Sequence, residues 1–468
     1  MSEGVSKFSA ENGEAKVDIG DSGDCLVGLS KAEVMKYATN PTWIMLRRTL
    51  FFLFWAIWVA MLVGAIFIII VTPRCQKGLD PKWFEKSPIY TIRVDSFADS
   101  DGDGAGDLAG LTDKLDYIKH EISINAIALE GLLEKSDLHA IQGRQGSEND
   151  FKNLASQIKV ILKLPLVPEV DLEKLRKWAE LGAAGFILEE FDDMSSQYYE
   201  AMPRWRQTIF NTSDSPDSKL LALSSSQFNQ LREEHCNHVD MILNYDMIRL
   251  PQAFMSTDLH AALGETHTSK CRTNFVLGMA NVSPFVTRFE PRSLMEALLI
   301  FNLLSDSTPI VYYGDEYGKR DTSSEPKSRN IVPMPDPRTG LMDWIDLARV
   351  RIDSAPSIYK VFTAAAKLRK LEASIYQGST SLRESDSVLS MSRVKIGYPG
   401  FVVVSNFATE KKTINLLTTV SRLIPENGNV AMTSTNSKHL KDEKLKLNEL
   451  SIEAGETLVI EFVPEKET

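Results

Sequence analysis

The apolar and polar positions of this chain change texture three times. Residues 1 to about 28 are rich in Gly, Ser, Asp and Glu with few large apolar side chains, and read as a disordered tail. Leu29–Tyr37 has the spacing of a short helix, with Ser30 as its N-cap and Glu33 completing a capping box; Pro41 is expected to stop it. Leu50–Val71 is an unbroken apolar run without a charged or polar side chain. At ~1.5 Å rise per residue it reaches across the ~30 Å hydrocarbon core of a bilayer. A signal-peptide core is shorter, ~7–15 residues, and lies nearer the N-terminus. The run therefore predicts one membrane-spanning helix.

After a connector, strand-like and helix-like patterns alternate. Ile89–Arg93, Ile124–Leu129, Val160–Leu164 and Gly185–Leu188 read as strands; Leu111–Ile118, Asp150–Ile158 and Asp171–Leu181 read as helices. Such alternation means parallel strands with crossover helices. Its extent, to about residue 370, suits an eight-fold barrel of ~250 residues or more. A doubly wound sheet gives the same alternation, so periodicity alone does not choose between them. From about residue 375 the pattern shifts to short strands, Val388–Arg393, Phe401–Val404 and Thr457–Phe462, separated by Gly, Pro and Asn: a small antiparallel domain.

Composition changes this picture little. The chain is 43% hydrophobic and 25% charged, ordinary for a globular protein. A net charge of -11 without basic patches argues against a nucleic-acid partner. Four cysteines are too few for a disulfide scaffold. Orientation in the membrane is not decided by charge, because Lys31, Lys36, Arg47 and Arg48 before the run balance Arg74, Lys77, Lys82 and Lys86 after it. Two sequons, at Asn211 and Asn281, and the large folded part both follow the run. The expected topology is N-terminus cytoplasmic, C-terminal domain extracellular, at the plasma membrane.

Two long motifs carry a family resemblance. Ser87–Leu111 with Lys114–Ile118, and Thr308–Gly318 with its Gly314-Asp315-Glu316, resemble the α-amylase family of glycoside hydrolases. The resemblance implies a (β/α)8 TIM-like barrel followed by a C-terminal antiparallel β-sandwich. It also locates catalytic positions, and these do not match. Where the family carries Gly-Phe-Arg-x-Asp with its nucleophile, this chain has Gly185-Phe-Ile-Leu-Glu189, one methylene longer; ~1 Å of misplacement can cost ~100-fold in rate. The family's acid/base Glu follows a short apolar strand; the strand that matches it here is Lys219–Leu223, and Ser224–Ser226 follow. The family's Asn-His-Asp aligns with Met279-Ala-Asn281, and an Asp on the third strand is Lys163. A retaining glycosidase needs two carboxyls, one as nucleophile and one as acid/base. Four mismatches together imply no catalysis. Only Pro165–Val170 follow the third strand, so the domain that relatives insert there is absent.

Gly28-Leu-Ser-Lys-Ala-Glu33, the Phe- and Trp-rich run and Pro73-Arg-Cys75 resemble the N-terminal third of the 4F2-type heavy chain of heteromeric amino-acid transporters. This resemblance implies a non-catalytic subunit that associates with, stabilises and escorts to the plasma membrane a multi-spanning light chain, with Cys75 forming the inter-chain disulfide. The residues themselves leave a free or acylated Cys75 open. Ala56, Ala60 and Gly64 recur every four residues, a face on which another helix can approach closely. Asp99, Asp101, Asp103, Ala105 and Asp107 have the spacing of a calcium loop, without the Glu expected at its twelfth position, where Gly110 stands; the resemblance implies one structural Ca²⁺. The expected organisation is 1-49 tail, 50-72 membrane helix, 73-85 connector, 86-370 barrel and 371-468 sandwich. The competing readings are a membrane-anchored α-glucosidase and an adhesion or receptor ectodomain. Cys236 and Cys271 are left open, as partners of each other, free, or linked to another chain; His235 and His238 beside Cys236 lack a second ligand cluster for a metal.

Overall fold

The computed structural model describes residues 35, 40–71, 80–134, 138–165, 172–189, 196–212, 219–224, 233–268, 273–280, 282–319, 357–421 and 423–465. Two compact units divide the chain, Met1–Lys77 and Gly78–Thr468. The first is built on one helix, α1 (Pro41–Val71). Asn40 caps it, its Oδ1 accepting from the Thr42 N–H at 3.1 Å. Pro41 thus begins a helix. The first helical position is where a missing N–H costs nothing, because that donor has no partner within the helix. The expected helix at Leu29–Tyr37 lies outside the described residues except Met35. Residues Pro41–Ile69 are long and apolar enough to cross a membrane.

The second unit opens with eight parallel strands: β1 (Ile89–Arg93), β2 (Ala126–Glu130), β3 (Lys159–Pro165), β4 (Gly185–Glu189), β5 (Leu220–Ser224), β6 (Met241–Asn244), β7 (Thr273–Phe275) and β8 (Ile310–Tyr312). Their order is β7-β6-β5-β4-β3-β2-β1-β8, and a parallel bridge from Val276 to Ile310 closes the ring. Closure selects the barrel over the doubly wound sheet. Around it run α2 (Leu108–Asp113), α3 (Glu148–Gln157), α4 (Leu172–Glu180), α5 (Ser196–Phe210), α6 (Ser256–Thr268), α7 (Arg292–Leu304) and α8 (Ile358–Leu371). The expected helix Leu111–Ile118 is displaced: α2 ends at Asp113 and a π-helical turn, Tyr117–Glu121, follows. Ser147 and Asp150 form a full capping box on α3.

Strand alternation sorts the barrel's side chains. Ile89, Ala126, Ala128, Ile161, Ile187, Leu220, Ala222, Met241, Leu243, Val276 and Ile310 fill the lumen as one buried cluster. The opposite faces meet the helices in a larger core that includes Phe151, Trp178, Phe186 and Phe301. At the barrel's base, the buried Arg369 of α8 donates to four carbonyls, those of Leu303, Ser305, Ser307 and Glu85, at 2.6–3.0 Å. Held by four carbonyls, this guanidinium fixes α8 against the strand entrances.

The C-terminal part is a six-stranded antiparallel sheet, β9 (Ser379–Ser385), β10 (Val388–Val394), β11 (Gly400–Asn406), β13 (Asn427–Thr433), β14 (Lys444–Lys446) and β16 (Thr457–Phe462), with a two-stranded one, β12 (Lys412–Ile414) and β15 (Leu450–Ile452). Val402, Val404 and Ile460 of the large sheet share a buried cluster with Leu450 and Ile452 of the small one. The sandwich is therefore lopsided. It is joined to the barrel through the buried Glu296 of α7, which accepts from the Thr435 N–H and hydroxyl, each at 2.7 Å.

Candidate functional site at the barrel mouth

Two residues beyond the apolar lumen layer, the same alternation brings a polar layer inward. Arg93 follows β1's inward Thr91, Glu130 follows Ala128, Lys163 follows Ile161, Glu189 follows Ile187 and Ser224 follows Ala222. The Lys163 ammonium sits between two carboxylates, 2.9 Å from Glu130 Oε2 and 2.8 Å from Glu189 Oε1, with side-chain exposures of only 7%, 17% and 16%. The Tyr245 hydroxyl reaches Glu189 Oε1 at 3.4 Å and accepts from Ser224 Oγ at 3.0 Å. The Tyr312 hydroxyl donates to Glu130 Oε1 at 3.2 Å. Arg93 makes a bidentate pair with Asp95, at 2.8 and 2.9 Å.

Burial alone would push the Lys163 ammonium down; Glu189 and Glu130 outweigh it and hold the group well above the usual lysine range. Tyr245 is pushed up to about 12 by burial and by the Glu189 charge. Tyr312 is raised by burial and by Glu130. Lysine and both tyrosines thus keep their protons at physiological pH, and Glu189 is tied to an ammonium. A glycosidase nucleophile has to be free to bond carbon, and an acid has to hold a transferable proton. The layer provides a closed ion-pair network instead. The Lys163, Glu189 and Ser224 positions flagged in the sequence are brought together; Met279 and Ala280 are described, whereas Asn281 and Ser225–Ser226 lie outside the described residues. Sequence reasoning did not find Glu130, Tyr245 or Tyr312. Their signal was parity: each lies two residues beyond an inward apolar residue of its strand.

Just past the end of β8, the Gly314-Asp315-Glu316 segment is buried structure. Gly314 has φ 95°, and a Cβ there would meet the Lys319 side chain at 2.9 Å. Glu316 accepts from Tyr90 at 2.7 Å, Tyr117 at 2.9 Å and the Gly314 N–H at 2.8 Å. Asp315 is pushed up to about 7 by burial, which outweighs the Arg288 charge. Its folded pKa lies above the unfolded value of ~3.9, so the folded chain holds the extra proton between these values. The contribution of Asp315 to stability should therefore fall by about 1.4 kcal/mol per pH unit from about pH 4 to about pH 7, then level off. In melting curves across this range, Asp315→Asn should remove that slope and melt higher than the unsubstituted chain above pH 7. Parallel pH profiles for the two would refute the assignment.

In the acidic loop, carboxylate oxygens of Asp99, Asp101 and Asp107 lie within 4.8 Å of one another. Asp99 accepts the N–H groups of Asp101, Gly102 and Gly104 at 2.7–3.2 Å; against the opposing effect of burial, these hold its pKa below the usual carboxylate range. Asp107 caps α2 through Gly110 N at 2.7 Å. Gly106 lets the loop return against the turn that follows β1, since a Cβ there would clash with the Val94 carbonyl. Asp103 is outside the three-carboxylate group, 3.8 Å from Arg144, and Ala105 has a backbone carbonyl to offer. The clustered donors are hard oxygens, the type that Ca²⁺ takes.

In α1, Ala56, Ala60 and Gly64 share one face, and Gly64 has nothing within 4 Å of a built Cβ. At 3.6 residues per turn, the contacting rings of Phe51, Trp55 and Trp58 fall on the opposite face. Asn211 is exposed just after α5. Cys236 is disulfide-bonded, which leaves no thiol for a metal with His235 and His238. Cys75, Cys271 and Asn281 lie outside the described residues.

A family profile described as solute carrier family 3 member 2 N-terminus matches residues 14–90, and one described as alpha amylase, catalytic domain, matches residues 89–162. The amino acid transporter heavy chain SLC3A2 of Mus musculus is 25% identical, over 97% of this chain and 93% of that protein; its Rattus norvegicus counterpart is 26% identical over the same shares. The chain resembles amino-acid transporter heavy chains from end to end. The salivary alpha-glucosidase of Anopheles gambiae is 40% identical, but over 18% of this chain and 16% of that protein. Among solved structures, the trehalulose synthase MutB from Pseudomonas mesoacidophila is similar with a TM-score of 0.66 at 15% identity, covering 82% of this chain and all of that one. The trehalose-6-phosphate hydrolase of Bacillus licheniformis gives 0.65 at 16%, covering 81% of this chain and all of that one. At such identities the structural likeness establishes the fold alone.

Proposed function

We propose that this chain is the non-catalytic heavy subunit that associates with, stabilises and carries to the plasma membrane a multi-spanning amino-acid transporter light chain. One observation supports this over the α-glucosidase reading: Lys163 occupies the space between Glu130 and Glu189 at the barrel mouth. The topology that suits the role has the N-terminus in the cytoplasm and the barrel outside, with glycans on Asn211 and Asn281. The small face Ala56, Ala60 and Gly64 packs against a light-chain helix, because small residues let backbones approach within a bilayer. Cys75 supplies the inter-chain disulfide, in the oxidising compartment where such bonds persist. Co-expression tests the role. A light chain that needs this subunit should reach the cell surface with it and be retained inside without it. Equal surface delivery in both cases, or α-glucoside hydrolysis by the purified chain that is lost in Glu189→Ala, would overturn it.

The acidic loop holds a structural Ca²⁺ in the same proposal, through Asp99, Asp101, Asp103, Asp107 and the Ala105 carbonyl. A ligand bound only by the folded state stabilises by about 2.7 kcal/mol at 100 times its Kd. Excess chelator should lower the melting temperature of the chain accordingly, and Asp99→Asn should abolish the difference. An identical melt with and without chelator would leave the loop a hydrogen-bonded turn.

A further inference from the structure

Helix α8 carries a pattern that the barrel uses only in part, through Val361 and Leu368. Val361, Ala364, Leu368 and Leu371 are spaced three, four and three apart, the seam of a two-helix coiled coil. Val361 is buried and Leu368 half-buried, but Ala364 is exposed and Leu371 is 64% exposed. Lys360 and Lys367 each precede a first seam position, the flank from which coiled-coil charges reach a partner. Both are exposed, and among the described residues neither enters an ion pair.

This face forms one wall of an open groove of about 930 Å³. Strand β13 forms the other, with Ala431 and Met432 continuing the apolar floor and Lys441, Asp442 and Glu461 on its side. Charge on the sheet side is mixed, whereas the helix side is purely cationic, in a chain of net charge -11. Lys360 and Lys367 are seven residues apart, ~10 Å along the helix. That separation does not converge on a single headgroup. It matches carboxylates one heptad apart on a second helix.

We propose that the groove between α8 and β13 takes an acidic amphipathic helix of a partner protein, its apolar stripe on the α8 seam and its carboxylates on Lys360 and Lys367. This does not depend on the heavy-chain reading. Reversing the charge of both lysines turns attraction into repulsion, for roughly a tenfold change in affinity.

The test uses the full chain in zwitterionic nanodiscs and two fluorescent synthetic helices, each with Leu at the seam positions. One has Glu on both flanks, the other Lys. The Glu-flanked peptide should bind above empty discs, bind roughly tenfold more weakly to Lys360→Glu/Lys367→Glu, and be blocked by Ala364→Trp. The Lys-flanked peptide should prefer the charge-reversed chain. Circular dichroism melts confirm that these surface variants fold. No binding above empty discs, equal binding of the two peptides, or uptake of laurate in place of peptide would overturn the proposal. So would self-association through the groove that excludes the peptide.

Discussion

Replacing Lys163 with alanine should lower the stability of the chain by about 3–5 kcal/mol, the cost of breaking a buried ion pair from one side. The substitution leaves Glu130 and Glu189 facing each other without their shared ammonium, in a layer where the three side chains are 7–17% exposed. Part of the loss is desolvated charge, not a missing contact. Removing the charges together should therefore recover most of it: Lys163→Met with Glu130→Gln and Glu189→Gln should approach the unsubstituted chain, because neutral groups of similar size replace a buried triad at little cost. Guanidinium unfolding of the two variants measures this as a midpoint shift at constant slope. The triple variant falling as far as the single one would show that Lys163 acts by packing alone. A shift in the single variant below about 1 kcal/mol, the range of exposed pairs, would show that the mouth is solvated and the network weak.

Why this network was only half legible follows from how sequence encodes a barrel. Strand existence is local: Ile89–Arg93 and Thr457–Phe462 were read at the boundaries they have, from alternation and β-branched content. Ring closure is not local. It depends on Val276 meeting Ile310 across the chain, and only the family resemblance pointed to it. Lys163 was legible as a departure from the hydrolase pattern. Its two partners were not, because pairing Glu130 with Lys163 requires the register of β2 against β3. The start of α1, nine residues before the apolar run, is not marked by apolar content; its signal is Asn40 directly before Pro41, because proline is tolerated in a helix's first turn. The π-helical turn at Tyr117–Glu121 had no local signal; it accompanies the burial of Tyr117 against Glu316.

The second large effect concerns the covalent link. Cys75 lies four residues past Val71, the last apolar residue of the run, so its thiol stays near the outer membrane surface in the proposed topology. Under the heavy-subunit proposal, a disulfide there would tether the light chain while helix packing on Ala56, Ala60 and Gly64 would contribute separately. The two contributions can be told apart. Cys75→Ser should remove the reducible high-mass species completely, and yet leave light chain co-purifying in mild detergent. Gly64→Leu in the Cys75→Ser background should then reduce that remaining association, by filling the space a second backbone needs.

The most direct measurement is a pair of gels, non-reducing and reducing, of the unsubstituted full-length chain isolated from cells with its bound partners. The heavy-subunit account predicts a high-mass band that contains this chain and a multi-spanning transporter, separating into the two on reduction and absent from Cys75→Ser. Only a monomer, or only a homodimer, in the non-reducing lane would contradict it.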